Sequence, residues 1–263
     1  YDDVLRNADR LTTYRQICAQ VAREFNLIAC FMSKPFMGVS ANGCHTNVSL
    51  WKGGELKSTP IGNNPLPGMD QVFTHISGGE NMFMPDPKID AVKPGPVGLN
   101  SIAGLLKHLP ALTCLGSPTV NSYRRLWDTG FWAPVYADWG YQNRTCSVRV
   151  SAPGRVEYRS VDSSHNPYLM GAGILKAFED GLDNKMDPGE PEKKNIYDAM
   201  KEGKEVDKLP LTLGEAIQRL DADDTIKAAL PEDMLRVFMH YKNDEWEKFL
   251  SAVTQWDVDT YLD

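Results

Sequence analysis

Asn143-Arg144-Thr145-Cys146-Ser147-Val148-Arg149-Val150-Ser151-Ala152-Pro153-Gly154-Arg155-Val156-Glu157-Tyr158-Arg159 is the stretch from which the fold is read. In a chain of formal net charge -7, it gathers four arginines and one glutamate. From Arg155 to Arg159 charged and apolar residues alternate, which is strand periodicity. On a strand, Arg155, Glu157 and Arg159 share one face and Val156 and Tyr158 pack behind. Neighbours on that face lie roughly 6.6 Å apart, room for a cation or a phosphate oxygen. Taken alone, the run is equally well explained as the salt-bridged outer face of a sheet.

A second segment repeats the design. In His45-Thr46-Asn47-Val48-Ser49-Leu50-Trp51, the residues His45, Asn47 and Ser49 fall on one face, with Val48 and Leu50 toward a core. The imidazole offers a nitrogen to a metal, and the small polar groups suit phosphate oxygens. A hydrogen-bonded histidine at a sheet surface is the plainer reading of this segment by itself. Ahead of it, Lys34 to Gly43 is rich in small residues, which let a backbone approach a ligand closely. Between the two strands, Ser117 to Leu126 reads as a polar loop ending in Arg124 and Arg125.

In order, these segments resemble the catalytic half of the glutamine synthetase superfamily. The resemblance is carried by Lys34-Pro35, Gly43-Cys44-His45 with Ser49-Leu50, Pro118-Thr119, Asn121-Ser122-Tyr123-Arg124-Arg125-Leu126 and Ala133-Pro134. It continues through Asn143-Arg144, Ser147-Val148-Arg149, Glu157-x-Arg159, Asn166-Pro167-Tyr168, Asn184-Lys185 and Pro188-Gly-Glu-Pro191. No single motif is decisive; the ordered set, spread over residues 30 to 200, is specific.

The resemblance implies an α+β fold, with a curved antiparallel sheet carrying the active-site face and helices behind. It implies an ATP-dependent carbon–nitrogen ligase, in which glutamate takes the γ-phosphoryl group and the γ-glutamyl phosphate is captured by an amine. That chemistry calls for Mg2+ or Mn2+ and for cationic donors on the transferring phosphoryl group. Carried over, His45 and Glu157 are metal ligands, and Arg125 and Arg159 hold glutamate with Ala41, Asn42 and Gly43. Arg144 acts on the phosphoryl group, with Arg125 the other catalytic candidate. Asn47, Ser49, Arg144, Arg149 and Arg155 contact ATP. The resemblance also implies a homo-oligomeric ring, with a dodecamer of two stacked hexamers expected.

Three departures stand out. The glutamate loop, usually Asn-Gly-Ser-Gly, reads Ser40-Ala41-Asn42-Gly43, and the second histidine of the following strand is Asn47. The family's glutamate before Ala-Pro, which helps take a proton from bound ammonium, is replaced by Trp132 in a loop one residue longer. Phe131, Trp132 and Asp128 are therefore assigned to an amine pocket, with Trp139 and Tyr141 near enough in sequence to extend it. The expected reaction joins glutamate to a small alkylamine, methylamine before others, as in the superfamily's glutamate–methylamine ligases. The alternatives are a glutamine synthetase using ammonia, or an inactive relative with a structural role. Retention of His45, Glu157 and the arginines speaks against the last.

Length and composition set the frame. The chain of 263 residues with 42% hydrophobic content is ample for a folded core. Its acidic balance argues against non-specific nucleic-acid binding and against an anionic membrane surface. Five cysteines without C-x-x-C spacing fit reduced thiols, hence a cytoplasmic setting. No apolar run reaches membrane-span length, and no leader is visible. The whole of 1–263 is expected to be the C-terminal portion of a family catalytic domain, lacking the N-terminal β-domain and the carboxylates that complete the metal site.

Element by element, Asp2 or Asp3 should cap a helix burying Leu5, Ala8, Leu11, Ile17, Val21 and Phe25. Residues 26–51 read as strand-like, 52–97 as an irregular excursion, and Gly98 to Leu109 as a helix stopped by Pro110. Strands are expected from about Val135 to Ser160, then a helix opened by Asn166-Pro167 and an exposed loop from Asn184 to Pro210. Within that loop Asn195-Ile196-Tyr197-Asp198 matches the segment carrying an adenylylated tyrosine in some bacterial relatives, although an ordinary loop residue is the simpler reading of Tyr197. Thr212 and Glu215 form a capping-box pattern, Pro231 opens a helix, and Trp246, Phe249, Leu250 and Val253 form an apolar stripe expected in the core.

Overall fold

The computed structural model describes residues 2–60, 71–86, 88, 90, 92–127 and 133–262, without the side chains of 56–60 and 71–76. Helix α1 (Val4–Glu24) is capped by Asp3, whose carboxylate accepts from the Arg6 amide at 2.9 Å. Its predicted apolar stripe is not a core face: only Ala8 is buried, and Leu5, Ile17, Val21 and Phe25 are exposed. The reason is that, among the described residues, α1 packs chiefly against a single later helix, which covers one side of it.

The stretch 26–51 is mainly irregular, with strands only at β1 (Thr46–Val48) and the start of β2 (Trp51–Lys52). The expected excursion at 52–97 contains a hairpin, β3 (Glu55–Pro60) against β4 (Gln71–Ser77), and β5 (Glu80–Asn81) pairs with β2. Gly53 and Gly54, with φ of 65° and 86°, make the reversal that leads into it.

Helix α2 (Pro96–Gly116) passes straight through Pro110. An internal proline costs about 3 kcal/mol. Burial of Ala111, Leu112, Thr113, Cys114 and Leu115 beyond it offsets that cost. The anticipated polar loop before Arg125 is instead helix α3 (Val120–Trp127). It is started by a reciprocal cap: the Ser122 amide donates to Thr119 Oγ1 at 3.1 Å and the Thr119 amide to Ser122 Oγ at 3.2 Å.

Strands β6 (Trp139–Tyr141), β7 (Val148–Ala152) and β8 (Arg155–Tyr158) join β1 in a sheet ordered β1-β8-β7-β6. The pairs β1–β8 and β7–β8 are antiparallel, as expected, but β6 and β7 are parallel. The sheet is therefore mixed, within an α+β architecture. Residues 142–147 return the chain between these parallel strands, with Gln142 at φ 50°. So short a return suffices because β6 is only three residues long.

Helix α4 (Pro167–Asp183) starts as its sequence predicts, Asn166 accepting from the amides of Tyr168 and Leu169. The following charged stretch is not all loop: α5 (Ile196–Lys201) buries Ile196 and half-buries Tyr197. Helix α6 (Leu213–Asp221) has only half of its predicted capping box. Thr212 accepts from the Glu215 amide, but the Glu215 carboxylate turns to the Leu211 amide at 2.8 Å. Helices α7 (Asp224–Lys227), α8 (Glu232–Ser251) and α9 (Gln255–Tyr261) complete the chain. The stripe predicted for the core is only partly so: Trp246, against Gly214 and the core edge, and Phe249 are half-buried, while Leu250 and, beyond the end of α8, Val253 are exposed. Among the described residues α8 packs chiefly against α6 and α3.

The core forms where α2 and α4 cross behind the sheet, joining Leu105, Leu109, Leu112 and Leu115 to Val148, Val156, Tyr158, Ile174 and Phe178. Its edge carries an ionic clamp. Buried His108 sits with Nδ1 2.6 Å from Asp223 and Nε2 2.8 Å from Asp180. Two carboxylates, one on each ring nitrogen, favour the imidazolium. Burial opposes the charge, but the bonds to Asp223 and Asp180 outweigh it and raise the His108 pKa above its ordinary value. A raised folded pKa gives stability that is complete below the unfolded value, about 6.5, and is lost as pH rises through the folded one. Wild-type protein should thus lose melting temperature more steeply on alkalinisation than His108→Gln, which should be the less stable near pH 6. Parallel pH profiles would show that the charge on His108 contributes nothing.

Candidate active site

The sheet register builds the site. Thr46, Asn47 and Val48 lie opposite Tyr158, Glu157 and Val156, and Arg149 faces Glu157 on the other side. Val156 and Tyr158 point into the core, so Glu157 and Arg149 emerge together on the opposite face. One residue before β1 stands His45; one residue after β8 stands Arg159. Glu157 is 3% exposed and collects three partners. His45 Nδ1 is 3.1 Å from Oε1, Arg159 Nη1 is 3.2 Å from Oε1, and Arg149 Nη2 is 2.7 Å from Oε2.

In front of this row opens a cleft of about 560 Å³ lined by Lys34, Ala41, Gly43, His45, Arg125, Ala133, Arg144 and Arg159. Four cationic side chains around one cleft, with one carboxylate behind them, make it a receptor for anions. Gly43 leaves little room: a Cβ would stand 3.0 Å from His45 Nε2 and 3.3 Å from Arg125 Nη2, so a larger residue would press on both side chains. Arg125 reaches the cleft from α3 with Nη2 donating to the Arg159 carbonyl at 3.3 Å. Lys34 is buried, its ammonium donating to the Val39 carbonyl, and its backbone exchanges two 2.9 Å hydrogen bonds with the Asn121 side chain.

Arg144 is exposed and has no carboxylate partner among the described residues. Its loop is nonetheless braced. Asn143 Nδ2 donates to the carbonyls of Glu192 (3.2 Å) and Lys194 (2.7 Å), and Asn143 Oδ1 accepts from the Thr145 amide at 3.0 Å. Thr145 Oγ1 in turn accepts from the Ile196 amide at 3.0 Å. The stretch expected to be a loose loop, 184–210, is thus what holds the arginine's position.

Electrostatics sets the state of His45. Burial, then Arg159, Arg125, Arg149 and Arg144, push its pKa down to about 3. The ring is neutral at physiological pH, so one nitrogen donates to Glu157 and the other keeps a lone pair. A neutral imidazole beside a buried carboxylate is a donor pair that suits a divalent cation. The pair would fill only part of a coordination sphere, since no group of three or more His, Cys, Asp or Glu stands together among the described residues.

The remaining predicted residues are distributed unevenly. Asn42 turns its side chain away, to the Met32 carbonyl at 2.7 Å. Asn47 Oδ1 and Arg155 Nε both meet Ser151 Oγ, at 3.4 and 3.0 Å, and Ser49 accepts from the Trp51 indole at 2.9 Å. Asn47, Ser49 and Arg155 do not line the cleft. Asp128, Phe131 and Trp132 lie outside the described residues. Tyr197 is half-buried, and its hydroxyl donates at 3.2 Å to the carbonyl of Ala133, a cleft residue. Lys34 and Ala133 had no role assigned from the sequence, since only the tertiary fold carries them to the cleft. The five cysteines are free. No helix among the described residues is long and apolar enough to cross a membrane.

Comparison with known proteins follows the same outline. The family model described as glutamine synthetase, catalytic domain, matches residues 1–261. A glutamine synthetase of Pyrococcus furiosus is 36% identical over 281 residues, covering all of this chain and 57% of the relative. One from Rhizobium leguminosarum bv. phaseoli is 34% identical, covering all of this chain and 56% of the relative. The chain thus spans somewhat over half the length of these relatives. Among solved structures, apo GmaS without ligand superposes with a TM-score of 0.81 at 32% identity, over 99% of this chain and 54% of that one. A GmaS/ADP complex gives 0.83 at 33% identity, over 100% of this chain and 56% of that one.

Proposed function

The chain belongs to the glutamine synthetase catalytic-domain family, and on that premise we propose that it is the catalytic portion of an ATP-dependent ligase joining the glutamate γ-carboxylate to a small alkylamine, methylamine before others. The observation that carries the reading is the cleft, where Arg125, Arg144, Arg159 and Lys34 surround an anion-sized space backed by neutral His45 and buried Glu157. The likeness to GmaS, a gamma-glutamylmethylamide synthetase, in apo and ADP-bound forms supports nucleotide and alkylamine as its substrates.

Each residue then has a task. Arg125 and Arg159 are fixed by burial and grip the carboxylates of glutamate with forked donors. Arg144, exposed but with its loop held on two sides, approaches the phosphoryl group as it transfers. Asn47, Ser49, Arg149 and Arg155 border the nucleotide. His45 and Glu157 would contribute to holding Mg2+ or Mn2+, which when bound neutralises phosphate charge. The setting we propose is cytoplasmic, in a homo-oligomeric ring of dodecameric form.

The choice of amine rests on the Trp132 segment, which leads directly into the cleft residue Ala133. An indole in place of a carboxylate removes an acceptor suited to ammonium and adds an aromatic face for a methylated cation. The cation–π attraction is about 0.5–2 kcal/mol, and one buried methyl adds about 0.8 kcal/mol. Together they favour methylammonium roughly ten- to a hundred-fold. By residue type, Asp128 is the local candidate base and Phe131 a further apolar candidate for the amine pocket. The second reading, a glutamine synthetase, is supported by the relatives that carry that name. Phosphate release dependent on both ATP and glutamate, compared by kcat/KM across ammonium, methylamine, ethylamine and putrescine, decides between them. Methylamine should lead; an ammonium preference restores glutamine synthetase, and a putrescine preference means a longer pocket.

A further inference from the structure

Beneath the cleft, Arg125 is backed by buried polar groups to which the proposed chemistry gives no task. Arg125 Nη1, Asp162 Oδ2, Ser117 Oγ, Ser160 Oγ and the Tyr158 hydroxyl are all buried there, without a hydrogen-bond partner among the described residues. Backbone contacts hold them in one place. The Asp162 amide donates to the Gly116 carbonyl at 2.9 Å, beside Ser117, and Arg125 Nη2 donates to the Arg159 carbonyl at 3.3 Å, beside Ser160. A Cβ on Gly116 would come within 2.7 Å of the Ser160 carbonyl, so the end of α2 runs directly against this segment.

Buried polar atoms are almost always satisfied. Two serine hydroxyls, a phenol, and one free atom each on a guanidinium and a carboxylate are the kind of lining that holds ordered water. Within it Asp162 and Arg125 are opposite charges, 0% and 3% exposed. Asp162 has one oxygen committed, Oδ1 accepting from the Ser164 amide at 2.7 Å; Oδ2 is the spare. Burial pulls the Arg125 pKa down, and Asp162 is the foremost charge holding it up.

We propose that Asp162 is a positioning residue for Arg125, acting through ordered water in this buried cluster to fix the guanidinium toward the substrate carboxylate. The kinetic side of this inference rests on Arg125 binding glutamate; the structural side does not. The competing role for Asp162 is purely local, the turn closed by Oδ1 and Ser164, and asparagine preserves that bond while removing the charge.

The test is Asp162→Asn in the complete protein, by crystallography at a resolution showing water and by steady-state kinetics. In wild type, water should bridge Asp162 Oδ2 and Arg125 Nη1; in Asp162→Asn the Arg125 side chain should turn or split between conformers. The glutamate KM should rise about tenfold or more, with the ATP KM within about twofold and kcat less affected. An unmoved Arg125 in Asp162→Asn, a dry cluster in wild type, or equal rises in both KM values would overturn the inference. If wild type does not turn over glutamate at all, the proposed function falls and the crystallographic result alone judges Asp162. Should Asp162→Asn fail to fold, the wild-type map decides: bridging water supports the role and its absence removes it.

Discussion

Replacing Arg144 by alanine in the complete protein is expected to lower kcat about 100-fold or more, the scale for losing one donor aimed at transition-state charge. The structure supports so large an effect with little accompanying structural cost. The side chain is exposed and has no carboxylate partner among the described residues, so its removal leaves no buried charge behind. Its loop is held by Asn143 and Thr145 and does not depend on the arginine itself. The melting temperature should therefore stay close to wild type. Near-normal kcat with a raised KM for ATP would make Arg144 a ground-state binding residue instead.

Glu157→Ala should act in the opposite manner, through stability as well as activity. The carboxylate is buried between Arg149, Arg159 and His45. Without it Arg159, itself 3% exposed, faces Arg149 with no intervening negative charge. Removing one partner of a buried ion pair costs about 3–5 kcal/mol. At roughly 2–4 °C per kcal/mol for chains near this size, the melting temperature should fall by about 6–20 °C. Added Mg2+ or Mn2+ should raise the melting temperature of wild type but not that of Glu157→Ala. A variant as stable as wild type without metal would mean the three partners relax into solvent and the row is not a unit.

The contrast between these two arginine environments explains which parts of the molecule were legible in the sequence. The alternation Val156-Glu157-Tyr158 fixes which side chains face the core, because strand period leaves only two faces. From it the placement of Glu157, and through the β1 pairing that of His45, follow almost directly. Local signals also sufficed at Asp3 and at Asn166, where the capping side chain and its amide partners are neighbours in the chain. Pro110 misled because its cost is a local quantity, while the burial that offsets it comes from α4 and the sheet. The C-terminal apolar stripe misled in the reverse sense: Leu250 has helical spacing yet is exposed, and Val253 falls past the end of α8, because burial depends on what packs against a stripe. Asn42 was assigned by motif position, yet the Met32 carbonyl holds its side chain elsewhere. Lys34 and Ala133 stand in motifs but had no role legible there, and Asp162 gave no signal, since each acquires its neighbours from segments distant in sequence.

The central claim is that this cleft sets glutamate's γ-carboxylate to attack the γ-phosphorus of ATP. The most direct measurement is isotope transfer: the complete protein is turned over with glutamate labelled with 18O in the γ-carboxylate, together with ATP and methylamine, and the released phosphate is analysed by mass. Attack forms a bond from a carboxylate oxygen to phosphorus, and the amine then expels phosphate with that oxygen attached. The account predicts one labelled oxygen in each phosphate released, and a γ-glutamyl amide carrying the other. Unlabelled phosphate accompanying amide formation would contradict it.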